Sequence, residues 1–218
     1  MWTADDQRRY NAKYYRAHRK DELERVRRRE QATLAFLRDA RRRPCGDCGN
    51  TFQPWIMDFD HRDPAQKAFA IAAGKALLKS REVLLAEIAK CDIVCANCHA
   101  IRTYRYLHSD RSPFRGRTPG RSPRREELRV RRQSHRQLLR ELRERPCADC
   151  DQRFPYHVMQ FDHRDPTTKT GLVTQMVGRA GRDKILAEVA KCDVVCSNCH
   201  RMRTYARREA SRIEGTRE

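Results

Sequence analysis

Ten cysteines stand in this chain in two groups of five: Cys45, Cys48, Cys91, Cys95 and Cys98, then Cys147, Cys150, Cys192, Cys196 and Cys199. Each group holds two C-x-x-C pairs some 45 residues apart in sequence. Paired knuckles of this kind supply four thiolates to one tetrahedral zinc ion. The expected zinc ligands are Cys45, Cys48, Cys95 and Cys98 in the first group, and Cys147, Cys150, Cys196 and Cys199 in the second. With no apolar leader at the start, a disulfide framework is the weaker reading, and two knuckles per group fit zinc better than a redox pair. Cys91 and Cys192 are left over and read as small buried residues, with an alternate-ligand role as the competing reading.

Between the knuckles lies an Asp-His pair, Asp60-His61 and Asp162-His163, inside identical FDHRDP strings. A further histidine, His99 or His200, directly follows the last cysteine. Zinc knuckles alone require neither. If zinc pins a strand end to a helix start, Asp60 meets His99 and Asp162 meets His200. A carboxylate and an imidazole with open positions can hold a catalytic divalent ion. His61 and His163, one residue on in extended chain, point to the opposite face. A neutral imidazole there suits a general base acting on water.

Elements must position these groups, and the chain repeats to do so. Cys45 to Lys67 recurs 102 residues later as Cys147 to Lys169, and Lys90 to Tyr104 recurs 101 residues later as Lys191 to Tyr205. This is a tandem duplication of a module of about 60 residues, not a solenoid. The expected organisation is a basic helical arm (1–43), module one (44–107), a Pro/Gly/Ser-rich linker (108–123), a basic helix (124–145), module two (146–207) and a polar fraying tail (208–218). The arm, 5–43, reads as one or two helices. Phe52 to Asp60 reads as a short hairpin ending at Asp60. Residues 80–90 read as an amphipathic helix capped by Ser80, with Val83, Leu84 and Ile88 on one side. Residues 97–107 read as a second helix, and Leu128, Leu138, Leu139 and Leu142 as a thin apolar stripe. Phe52, Trp55, Ile56, Phe59, Val83, Leu84, Ile88 and Val94 form the expected core. Cores this thin need zinc to fold.

The combined string of knuckle, DH at a strand end, then a second knuckle followed by His resembles the HNH (ββα-metal) nucleases, in their four-cysteine zinc branch of phage and bacterial proteins. The likeness covers about 44–104 and 146–205. It implies an α+β fold of two tandem zinc-stabilised ββα-metal modules. It also implies metal-dependent hydrolysis of DNA phosphodiester bonds, with Mg2+ or Mn2+ beside the two structural Zn2+ ions. By position Asp60, His99, Asp162 and His200 resemble the family's metal ligands, and His61 and His163 its general base. The family's middle Asn, which orients that base, has no counterpart before the second knuckle, where the chain reads KCDIVC and KCDVVC. Asn97 and Asn198 lie inside the knuckle instead, and Tyr104 and Tyr205 follow where many relatives carry a further His.

Composition agrees with a polyanionic partner. The chain of 218 residues has 48 Lys+Arg against 29 Asp+Glu, a net charge of +19, and only 39% hydrophobic residues. Residues 111–145 carry 13 arginines and four acids. Arginine forks suit phosphate, and binding of this kind falls steeply with salt. The expected partner is DNA, nicked and branched forms included, tracked without base specificity, with no membrane partner and a cytoplasmic setting. One chain would act as a pseudo-dimer with two active sites. Arg102, Arg203, Lys67 and Lys169 are candidate nucleic-acid contacts, with a solvated surface role as the alternative. Asp63-Pro64 and Asp165-Pro166 read as turn builders. His18, His108, His135 and His157 have no counterpart in the other copy and carry no assigned role. The competing functions are a non-catalytic zinc protein that binds DNA and, less favoured, an RNA-directed nuclease.

Overall fold

The computed structural model describes residues 3–71, 74–109 and 122–214. Among these are seven α-helices and two small two-stranded sheets, an α+β architecture in which the same plan occurs twice. The order is α1 (Ala4–Ala40), β1 (Met57–His61), α2 (Arg81–Ile88), β2 (Cys91–Cys95) and α3 (Ala96–Leu107). Then come α4 (Pro123–Glu141), β3 (Met159–His163), α5 (Val173–Met176), α6 (Arg182–Val189), β4 (Cys192–Cys196) and α7 (Ser197–Glu214). By density of contacts the chain divides into two compact units, 1–93 and 94–218, with the division inside β2.

In the first unit the arm is one helix, not two. Thr3 starts α1 with a capping box, its hydroxyl accepting from the Asp6 amide while the Asp6 carboxylate accepts from the Thr3 amide. Almost all of α1 is solvated, and only Leu37, near its end, is buried. Leu37 packs with Ile71 and Cys91, flanked by Phe36, Phe59, Phe69, Leu77 and Ile88. The expected hairpin over Phe52 to Asp60 does not form. Residues 54–56 are a turn, and β1 pairs instead with β2, thirty-odd residues downstream. Pro54 explains this, since its missing N–H and fixed φ suit a turn and not a ladder. Helix α2 is capped by Ser80 as expected. It buries Leu84 and Glu87, whereas Val83 is 43% exposed and stands outside the core assigned to it. Of that expected core, Ile56, Leu84 and Val94 are buried, and Phe52, Trp55, Phe59 and Ile88 are half-buried.

In the second unit β3 and β4 pair antiparallel, Met159 opposite Cys196, Phe161 opposite Val194 and His163 opposite Cys192. One cluster joins Leu139 of α4 to Val173, Ile185 and Cys192, and a second joins Val158, Met159, Val194 and Val195 to two zinc-knuckle cysteines. Leu37 and Leu139, Ile71 and Val173, and Cys91 and Cys192 occupy equivalent core positions. Since Ile71 and Val173 are 102 apart while Ser80 and Gly181 are 101 apart, the single-residue deletion falls between these pairs. There the first copy has a 3-10 helix, Gly74–Leu78, and the second has α5. The described part of the expected polar tail is helical: α7 continues to Glu214, through residues of which none is Gly or Pro. The expected linker lies almost wholly outside the described residues.

Helices α3 and α7 pack together in this unit. At their first turns the Asn97 amide donates to Asn198 Oδ1 at 3.0 Å, and the Asn198 amide donates to Asn97 Oδ1 at 2.9 Å. Both asparagines sit within C-x-x-C knuckles, where an otherwise orphaned helix-start N–H needs an acceptor. No described helix is long and apolar enough to cross a membrane.

Candidate functional site

The sulfurs of Cys147, Cys150, Cys196 and Cys199 lie within 4.8 Å of one another, and those of Cys45, Cys48, Cys95 and Cys98 do likewise. A tetrahedral ion with Zn–S bonds of about 2.3 Å sets its sulfurs about 3.8 Å apart, so both clusters fit zinc. The chemistry of the second set agrees. Burial would raise the Cys147 thiol, but backbone N–H groups, including Cys196 N–H at 3.2 Å, bring it down to about 7. Burial and its sulfur neighbours push Cys199 up. Four crowded thiols cannot all ionise without a cation, and a dication resolves the conflict. Cys91 and Cys192 are not part of either cluster. Each donates to a backbone carbonyl, Glu87 O or Glu188 O, at 3.4 Å, and burial first, then the glutamate charge, pushes each thiol up to about 11. They are packing residues.

The Asp-His pair divides between two faces. His163 Nε2 lies 2.8 Å from Glu188 Oε1 on α6, and His61 Nε2 lies 2.8 Å from Glu87 Oε1 on α2. Both glutamates are buried, 1% and 2% exposed. Burial would raise their carboxyls, yet each stays ionised. Glu87 also accepts from Lys90 Nζ and the Ala68 and Phe69 amides, which brings it to about 2. Glu188 accepts from Lys191, Thr170 and Gly171, which holds it far below the ordinary range. A carboxylate only accepts, so each histidine carries its proton on Nε2 and keeps Nδ1 as the basic nitrogen. The partner that orients each histidine, unassigned from sequence, is therefore a glutamate. The signal was present: Glu87 and Glu188 are 101 apart within AEIAKCD and AEVAKCD.

On the other face, Asp162 Oδ1 lies 3.6 Å from His200 Nε2, so β3, which carries Asp162, and α7, which carries His200, bring these two together. The Asp162 carboxylate is occupied, however. Arg207 holds both oxygens, at 2.9 and 3.0 Å, and Arg203 Nη1 stands 3.2 Å from Oδ2. Burial would raise Asp162, but these guanidinium contacts hold it down. Burial likewise keeps His200 below its ordinary value and hence neutral, against the pull of Asp162. The donor types fit a divalent ion, with a guanidinium standing where that ion's charge would go in module two. Arg203 is not the free phosphate grip that its position suggested. It also pairs with Asp149 at 2.5 Å and Asp193 at 2.8 Å. Asp162 and Asp193 face each other across the sheet, and two like charges so placed need this bridging cation.

Of the remaining expected residues, Asp60 is half-buried and precedes His61 on β1, and His99 stands in the first turn of α3, followed on the same helix by Arg102. Lys67 and Lys169 are exposed, and Lys169 lines a cleft of about 540 Å3 with Asp162, His163, His200 and Arg143. Asp63 and Asp165 build turns as expected, accepting from the Ala65 and Thr167 amides. Sequence reasoning missed Arg62 and Arg164, which clamp the turn after the base to the Cys91 and Cys192 carbonyls at 2.9 and 3.0 Å. His135 is buried and accepts from the Gly178 amide, while His108 and His157 stack on Tyr104. Comparison with protein-family models, with curated proteins and with solved structures returns no match for this chain.

Proposed function

We propose that this protein is a metal-dependent endonuclease of the HNH type, hydrolysing phosphodiester bonds in DNA with two sites in one chain. The observation that carries the reading is the twice-built histidine on a buried glutamate, His61 on Glu87 and His163 on Glu188. Each glutamate also ties loop amides and a lysine into its module, but fixing one imidazole tautomer is of use chiefly to a histidine that exchanges protons. A general base does gain from it, because the glutamate orients the ring and stabilises the imidazolium formed when Nδ1 takes a proton from water. Asp60 with His99, and Asp162 with His200, would hold the divalent ion. That ion supplies charge stabilisation to the phosphate and the leaving oxygen. Zinc in the second cluster would hold strand and helix so that Asp162 and His200 stay together. The excess of arginine favours the polyanionic backbone as substrate.

In module two a bound ion must displace Arg207 from Asp162. The corresponding residue of module one is Tyr106, which carries no charge. The two sites therefore differ in the charge carried at this one position, which bears on metal binding at module two. The test is nicking of supercoiled plasmid at low salt with Mg2+ or Mn2+. Wild type is compared with His61→Ala, His163→Ala and the double variant, all confirmed to hold two zinc ions. Metal-dependent nicking that vanishes in the double variant is expected. Zinc-loaded wild type that binds plasmid, branched DNA and RNA yet cuts none of them would leave a DNA-binding protein.

A further inference from the structure

Arg143, just past the end of α4, is a cation without a counter-ion among the described residues. Its guanidinium carbon lies 4.6 Å from the ring centroid of Phe161, the residue before Asp162. The side chain is half-buried, and its Nε is closed off from solvent with no hydrogen-bond partner. Burial pulls it below the ordinary arginine value, against a weaker pull from Tyr156. Three nearby arginines find carboxylates: Arg129 pairs with Glu126, Arg140 with Glu144, and Arg203 with three aspartates. A desolvated charge left in this state is costly unless something anionic completes it.

The same arginine-on-phenylalanine stacking recurs in the first copy. Arg41, 102 residues earlier, lies with its guanidinium carbon 4.7 Å from the ring centroid of Phe59, the residue before Asp60. Stacking on an aromatic face fixes the guanidinium plane and leaves its edge donors pointing outward, which suits the flat fork of two phosphate oxygens. The place is also right. Arg143 lines the cleft that contains Asp162, His163 and His200. A second cleft, of about 680 Å3, shares Arg143, Tyr156 and Thr174 with the first and runs along Arg129, Arg132, Arg136 and Arg140. Arg129, Arg132, Arg136 and Arg140 recur at spacings of three and four, one stripe on α4 about 16 Å long at 1.5 Å per residue, and Arg143 stands just beyond its end.

We propose that Arg143 and its repeat Arg41 are the phosphate-binding residues of their modules, seating the nucleic-acid backbone beside the Asp-His pair, with the α4 arginines leading the strand in. This rests on reading the site as one for phosphodiesters, but it is tested by binding as well as by cutting. Full-length zinc-loaded protein is titrated with a fluorescein-labelled 20-base-pair duplex, without added divalent ion, over a range of salt. The variants are Arg41→Gln, Arg143→Gln, both together, and Arg143→Lys, with Arg179→Gln as the surface control. Each lost phosphate contact lowers the slope of log affinity against log salt by about 0.9, so the double variant should lose about 1.8. Plasmid nicking should fall about 100-fold in the double variant, because a misplaced phosphate costs rate. Arg143→Lys should restore the salt slope yet not the nicking, since a point charge replaces counter-ions without fixing geometry. A merely structural arginine would show no such split.

A wild-type slope in the double variant, with two zinc ions and an unchanged melting temperature, overturns the proposal even if His61 and His163 prove essential for cutting. A reduced slope in a protein that never cuts upholds the phosphate site and removes the nuclease. If the double variant loses zinc, Arg143→Lys decides: unaltered slope with unaltered nicking refutes a role for the fork.

Discussion

The two modules agree wherever the scaffold is concerned and differ where charge meets the Asp-His site. Cysteine clusters, histidine-glutamate pairs, arginine-phenylalanine stacks and the Leu37 and Leu139 core positions correspond closely. At the site, module two sets Arg207 against a buried Asp162, and module one has Tyr106 on the equivalent turn. Next to the glutamate the first copy has Phe69 and the second Gly171, and the helix that carries it is capped by Ser80 in one and begun by Gly181 in the other. The lesson is that the two copies share what holds each histidine rigid and differ in the neighbouring electrostatics. One arginine at this position gives Asp162 a bidentate guanidinium contact that a tyrosine cannot offer Asp60.

The largest effect should show the modules to be alike. Structural zinc contributes roughly 10–16 kcal/mol of apparent binding free energy, so chelation should unfold both modules. Cys48→Ser and Cys150→Ser should each remove one of two zinc ions and melt one module, which metal analysis with near-ultraviolet circular dichroism would read. Simultaneous loss of both zincs from either substitution would show that the modules do not fold separately.

Next come the glutamates. Removing either as Glu87→Ala or Glu188→Ala strands a histidine and a lysine and should cost about 3–5 kcal/mol in denaturant melts. The pH dependence has a definite sign. Glu87 is depressed from 4.5 to about 2, and Glu188 is depressed too. Their stabilisation is complete above pH 4.5 and is lost as pH falls through the folded value. The gap between wild type and Glu188→Gln should stay constant above pH 4.5 and close below it. A gap that opens on acidification would mean that these carboxyls are not ionised.

The smallest effect should separate the modules. Arg207→Tyr should strengthen Mn2+ binding at module two about tenfold, and Tyr106→Arg should weaken module one by a similar factor, each factor worth about 1.4 kcal/mol. Calorimetric titration of zinc-loaded protein reads both. Equal affinities before and after would show that Arg207 moves aside at no cost.

Much of the scaffold was legible in the sequence because it depends on local chemistry. The zinc ligands followed from spacing, the Ser80 cap from residue type, and the opposed faces of Asp162 and His163 from strand alternation. The pairing of β1 with β2 was not legible locally, since its partner lies thirty residues away and only Pro54 argued against a nearer hairpin. Glu87 was hidden by its type: an apolar-face position on a helix is the last place to look for a carboxylate, and only its recurrence as Glu188 marked it. The three aspartate partners of Arg203 were not legible because they come from separate segments that only the fold assembles.

The exchange between Asn97 and Asn198 has a consequence for how such a chain arose. Each residue gives to the other what it takes, across helix starts separated by the repeat distance itself. That is the pattern of an isologous contact between identical subunits. A lone ancestral copy could have met a second through this same amide handshake, at the mercy of its concentration in the cell. Carrying both copies on one chain makes a bimolecular encounter a tethered one. Once partnership was assured by covalent linkage, the halves no longer had to be interchangeable, and Tyr106 and Arg207 were free to part.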